Sequence, residues 1–112
     1  MNNEEFLIYH KECCDRIHKI VSAKNHDYSG FDKLDAFANF KVVEKIGVAS
    51  VEQGFLTRMM DKISRVNSFV LQGVTRVENE KIEDTLLDLA NYALLMSGYI
   101  KSKKDETDKT KL

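Results

Sequence analysis

Glu80, Asp84 and Asp88 stand at i, i+4 and i+8 in a stretch without Pro or Gly, and Asn91 follows at i+11. On a helix these four residues share one side. Ile82, Leu86, Leu87, Leu89, Ala90, Ala93, Leu94 and Leu95 fill the other sides, so at Asp88 the acidic stripe enters a segment that is apolar almost all round. Acids at i, i+4 repel each other, and an isolated helix gains nothing from that spacing. The arrangement requires a positive charge against it, either a metal ion or Lys and Arg from a neighbouring helix. A helix N-terminus also favours acids through its dipole. That accounts for Glu80, Glu83 and at most Asp84. It does not account for Asp88, more than a turn further in. On the residues alone, a metal site and a buried ion pair stand equal.

Two other stretches carry groups that could serve such a site. Arg58, Asp61, Lys62 and Arg65 run along one face at i, i+3, i+4 and i+7. Alternating signs are also what an ordinary solvated face shows, with intrahelical pairs worth a few tenths of a kcal/mol each. Lys24-Asn25-His26-Asp27-Tyr28-Ser29-Gly30 has the composition of a loop. Over a site, Lys24 can contact phosphate, Tyr28 can stack on a base, and Asp27 can bind a metal or hold the lysine. The plainer use is a helix C-terminal turn. Cys13 and Cys14 are adjacent and would point about 100° apart on a helix, which argues against a bridge between them. His18 follows Cys14 by four, but no second pair of suitable spacing completes a zinc site.

The elements that must position these groups are helices. Phe6, Tyr9, Cys13, Ile17, Ile20 and Val21 give helical spacing from Glu5 to Lys24. Leu34, Phe37, Phe40, Val43 and Ile46 do the same from Asp32 to Ile46, with Gly47 as the stop. Ser50-Val51-Glu52-Gln53 fits a capping box opening a third helix that runs to Gln72-Gly73. Thr75 or Asn79 would cap a fourth, carrying the acidic stripe to about Ser102. The charged residues 104–112 are expected to form a disordered tail beyond a single domain of residues 1–103. Short connections between long helices predict an all-α antiparallel bundle of about four helices. In such a bundle, Asp61 to Arg65 would lie opposite Asp84 to Asp88.

Bulk properties agree with that class and exclude others. The 112 residues suggest one domain, able to bury roughly two thirds of its unfolded surface. Hydrophobic content of 43%, no Pro and five Gly favour a mostly helical protein. A net charge of -1 provides no global basic field for nucleic acid. No apolar run reaches bilayer-spanning length, and the N-terminus lacks a signal-peptide layout, so a cytoplasmic protein with no membrane partner is expected. The helix from Leu86 to Ile100 is apolar on nearly every face, including Tyr92, Met96, Tyr99 and Ile100. A small bundle has too few neighbours to cover all of it, which predicts a homodimer or larger homo-oligomer.

Three segments also carry a family resemblance. Lys24-Asn25-His26-Asp27-Tyr28, then Asp61-Lys62-Ile63-Ser64-Arg65, then Glu80 with Ile82-Glu83-Asp84-Thr85-Leu86-Leu87-Asp88-Leu89-Ala90-Asn91-Tyr92-Ala93 resemble the phage and bacterial family called nucleotide modification associated domain 1. They come in that family's order and span roughly Lys24 to Met96. Through it the chain is distantly similar to the MazG-like all-α NTP pyrophosphohydrolases. Those enzymes are helical and oligomeric. They hold Mg²⁺ with carboxylates of two neighbouring helices and cleave an NTP or dNTP to NMP and pyrophosphate. The resemblance implies Asp61, Asp84, Asp88 and Glu80 as catalytic carboxylates and Mg²⁺ ligands. It implies Lys24, Asp27, Tyr28, Lys62, Arg65 and Asn91 as nucleotide-binding groups. The enzymes carry Glu-x-x-Glu on one helix and Glu-x-x-Asp on the next. Here the first of these helices offers only Asp61, followed by Lys62 and Arg65, a departure that bears on catalysis more than on fold. The other reading of the same residues is a non-catalytic helical module that binds a nucleotide or a partner protein associated with DNA or nucleotide modification.

Overall fold

The computed structural model describes residues 1–30, 35–74 and 81–110. Among them are four α-helices and no strand: α1 (Asn3–Ser29), α2 (Ala38–Lys45), α3 (Val51–Gln72) and α4 (Ile82–Thr110). The all-α class expected from composition is the class observed. The chain divides into two compact units, Met1–Asn39 and Phe40–Leu112.

In the first unit, the Asn2 side chain accepts the Glu5 N–H at 2.9 Å and so caps α1. The helix does not stop at Lys24 as expected. It continues through Asn25, Asp27 and Tyr28, and ends at Gly30 with φ 61°. Asn, Asp and Ser each cost a helix only a few tenths of a kcal/mol, too little to end it without Pro. Lys24, Asp27 and Tyr28 therefore belong to a helix and not to a loop. After the undescribed residues 31–34, Asp35 organises the start of α2. Its carboxylate accepts the Phe37 N–H at 2.9 Å and its carbonyl the Ala38 N–H at 3.3 Å. The described α2 is shorter than the helix expected over Asp32–Ile46, and Gly47 (φ 79°) ends its last turn as anticipated.

The second unit is built on α3. Ser50 accepts the Gln53 N–H, and the Gln53 side chain accepts the Ser50 N–H, which is the capping box legible in the sequence. Glu44 adds a carboxylate oxygen at 3.1 Å from the Val51 N–H, satisfying another orphan donor of that helix start. At the other end Gly73 takes the left-handed conformation, with its N–H on the Phe69 carbonyl at 2.7 Å. Phe55 is fully buried and lies between two rings. The Phe40 ring stacks on it at 4.6 Å and Tyr99 of α4 tilts against it at 6.0 Å. Gly54 lets α2 approach, since a Cβ there would stand 3.1 Å from Val43 Cγ1.

Cross-contacts fix the direction of α4. Glu52 meets Lys103, Phe55 meets Tyr99, and Lys62 meets Asp88, so numbers rise along α3 as they fall along α4. The pair is antiparallel. α4 also outruns its expected end near Ser102. Through 104–110 it is helical where a disordered tail was anticipated. Lys101 pairs with Asp105 at 3.0 Å, and the Thr107 hydroxyl donates to the Lys103 carbonyl. Lacking Pro and Gly, the segment has nothing to stop a helix already nucleated by the packed turns before it. No helix among the described residues is long and apolar enough to cross a membrane.

Candidate acid–base site on α3 and α4

The antiparallel register brings the two charged stretches of this unit face to face. The Lys62 ammonium lies 3.1 Å from Asp88 Oδ2. The Lys62 side chain is 16% exposed and that of Asp88 42%. The lysine is thus the more desolvated partner, and the carboxylate keeps contact with water. One turn away on α3, Arg65 Nε lies 3.5 Å from Asp61 Oδ2, an i,i+4 pair in which both side chains are well exposed. Asp84 is exposed on α4, while Thr85 and Asn91 are buried on either side of Asp88. The positive charge that the acidic stripe requires is therefore supplied, at Asp88, by a lysine of the neighbouring helix.

The sequence-derived set is only partly brought together. Lys62, Asp88, Asp61, Arg65, Asp84 and Asn91 belong to the helix pair. Glu80 lies outside the described residues. Lys24 and Asp27 are exposed and Tyr28 half-buried on α1 of the first unit. Among the described residues no three His, Cys, Asp or Glu side chains converge as a metal site would require. In chemical type the carboxylates suit magnesium, a hard cation that takes oxygen ligands. In placement Asp61 and Asp88 pair with bases, and a cation binding at Asp88 would compete with the Lys62 charge.

Several contributors were not legible as such in the sequence. Arg58 belonged to a mixed-charge stripe. Its guanidinium in fact lies 4.6 Å over the Phe40 ring and 6.0 Å from that of Tyr92, a cation–π arrangement tying α3 to the aromatic core. Thr85 was a lone hydroxyl in an acidic run, and it is 2% exposed. Tyr99, counted among the apolar residues needing cover by another subunit, is buried within its own unit at 6% exposure. Burial pushes its phenol up from 10 to about 12, and the Glu52 and Glu44 carboxylates add to the rise. Lys103 stands 3.6 Å from Glu52 and 5.6 Å over the Tyr99 ring. Only packing in three dimensions brings Glu44, Glu52, Tyr99 and Lys103 into one cluster.

No family model, curated protein or solved structure matches the chain.

Proposed function

We propose that the chain is a Mg²⁺-dependent nucleoside triphosphate pyrophosphohydrolase-like protein of phage or bacterial nucleotide metabolism, converting an NTP or dNTP to NMP and pyrophosphate. The observation that carries this reading is the α3–α4 register. It sets the Asp61–Arg65 segment against the Asp84–Asp88 segment through the Lys62–Asp88 contact. The order of these motifs, which resembles the nucleotide modification associated domain 1 family, supports it. Asp61, Asp84 and Asp88, with Glu80, are the oxygen donors proposed for magnesium. Lys62 and Arg65 are the cations proposed for the phosphates, where fixed positive charge favours charge that builds in transfer. Asn91 is proposed to position the nucleotide, while the nucleotide-binding roles of Lys24, Asp27 and Tyr28 rest on the resemblance alone. Bound magnesium would neutralise phosphate charge beside Lys62 and Arg65. A cytoplasmic location and a homo-oligomeric state belong to the same reading.

A second reading is favoured by one specific observation. Lys62 already neutralises Asp88, and Arg65 already neutralises Asp61, without any metal ion. A module whose acids and bases pair in this way would bind a nucleotide or partner and turn nothing over. Incubation with each NTP and dNTP in Mg²⁺, with pyrophosphate release as readout, tests the enzyme. Release from at least one nucleotide is expected. No release from any nucleotide, together with nucleotide affinity that EDTA leaves unchanged in a calorimetric titration, would establish the binding module in its place. Absence of both activity and binding would refute both readings.

A further inference from the structure

The α3–α4 pair has a side that its own unit leaves uncovered. On α3, positions 56, 60, 63, 67 and 70 are all exposed and recur at spacings of four and three. On α4, positions 86, 90, 93, 97 and 100 are exposed at the same spacings. Such a repeat draws one narrow stripe along a helix, the pattern by which helices seam together. None of the ten positions carries a charge, and only Asn67 and Ser97 are polar. Surface helices ordinarily reserve their exposed positions for charged and polar groups.

The two stripes lie on the same side of the pair. Each stands one residue after the packed positions: Leu56 follows Phe55, Ile63 follows Lys62, Ala93 follows Tyr92 and Ile100 follows Tyr99. One residue turns a helix by about 100°. Because the helices are antiparallel, equal turns about opposite axes swing both stripes to one side. The groove between them agrees. Met59 of α3 and Ala93, Met96, Ser97 and Ile100 of α4 line a single open depression of about 300 Å³.

We propose that this face is the contact surface for a second copy of the same chain, forming a two-fold dimer in which α3 of each copy lies on α4 of the other. Three features fit a second copy of the chain. A two-fold contact sets a patch against itself, which a charged surface resists and an uncharged one permits. The two helices also differ in relief. Leu56, Met60 and Ile63 make a ridge on α3, whereas Ala90, Ala93 and Ser97 leave α4 low, so ridge meets hollow twice in one symmetric contact. The area suffices as well. The stripes are about 21 Å long at 1.5 Å per residue, and two helices side by side are about 20 Å wide. With side-chain relief, two such patches bury on the order of 1,200 Å², the lower end for a specific interface. The proposal specifies the face behind the homo-oligomeric expectation stated above. It does not rest on nucleotide chemistry, because mass is measured without nucleotide or metal.

Sedimentation of the full chain at micromolar concentration is expected to give twice the 12.9 kDa chain mass. Met60 is 56% exposed and Ala93 is exposed in the single chain, so charging either leaves the fold itself intact. Met60→Lys and Ala93→Glu should each sediment as monomers with undiminished helical circular dichroism. Mixed together, they should recover dimer, because Lys on one α3 then meets Glu on the other copy's α4. Leu7→Lys, at an exposed apolar position of α1, should remain dimeric. A monomeric parent chain would overturn the proposal. So would a Met60→Lys chain that stays dimeric, or a Leu7→Lys chain that falls to monomer. Failure of the mixed variants to re-associate would overturn the α3-on-α4 arrangement.

Discussion

Replacing Asp88 by Asn removes the charge facing a lysine that water barely reaches. The 3.1 Å separation corresponds to a gross attraction of about 5 kcal/mol at an effective dielectric of about 20, much of it offset by desolvation of the two ions. The net cost lies between two limits. Exposed pairs are worth up to about 1 kcal/mol, and breaking a fully buried pair from one side costs about 3–5 kcal/mol. With Lys62 at 16% exposure and Asp88 at 42%, Asp88→Asn should cost about 2 kcal/mol. In a chain of this size that lowers Tm by about 10 °C. The reverse change is not equivalent. Lys62→Met keeps the apolar stem that packs between the helices and leaves a carboxylate that water can still hydrate. It should lower Tm by no more than about 3 °C. The double variant Asp88→Asn/Lys62→Met should recover most of the loss from Asp88→Asn, the signature of direct coupling. Thermal melts followed by circular dichroism in EDTA read all three. If Lys62→Met proved the more damaging single change, or Asp88→Asn melted within about 2 °C of the parent, the reasoning from unequal burial would be refuted. A metal ion at Asp88 also competes with the Lys62 charge. Lys62→Met should therefore bind Mg²⁺ more tightly than the parent in a calorimetric titration, and weaker or unchanged binding would count against Asp88 as a ligand.

Tyr99 should ionise late in an alkaline titration followed by tyrosinate absorbance, near 12 instead of 10, and Tyr99→Phe should remove that late step. Its raised pKa means that the folded state favours the neutral phenol. The associated stability is fully present below pH 10 and is lost as pH rises from 10 towards 12, so the alkaline melting transition should shift in Tyr99→Phe. Phe55→Ala empties the centre of the ring stack and should cost about 3–5 kcal/mol in denaturant unfolding; a loss below about 1 kcal/mol would show that Phe40 and Tyr99 close the gap.

What the sequence determined by itself is local. The Ser50–Gln53 capping box and the stops at Gly47 and Gly73 involve residues within a turn or two of one another, and all are in place. The all-α class follows from apolar spacing and the absence of Pro. The two misplaced helix ends share one cause. Neither Lys24–Ser29 nor 104–110 contains Pro or Gly, and unfavourable composition alone is too weak to end a helix whose earlier turns are already formed. The site divides along the same line. Residue types and spacing established that Asp88 needs a positive charge against it, and they left metal and lysine equally open. The identity of its partner depends on register. Register is set by Phe55 against Tyr99, and by how far α4 slides along α3 before those rings fit. A shift of one helical turn, about 5.4 Å, would take Asp88 away from Lys62. Burial of Tyr99 and exposure of Met60 have the same origin. Both residues sit on apolar stripes in the sequence, and only the packing of α3 on α4 decides which stripe turns inward and which is left exposed.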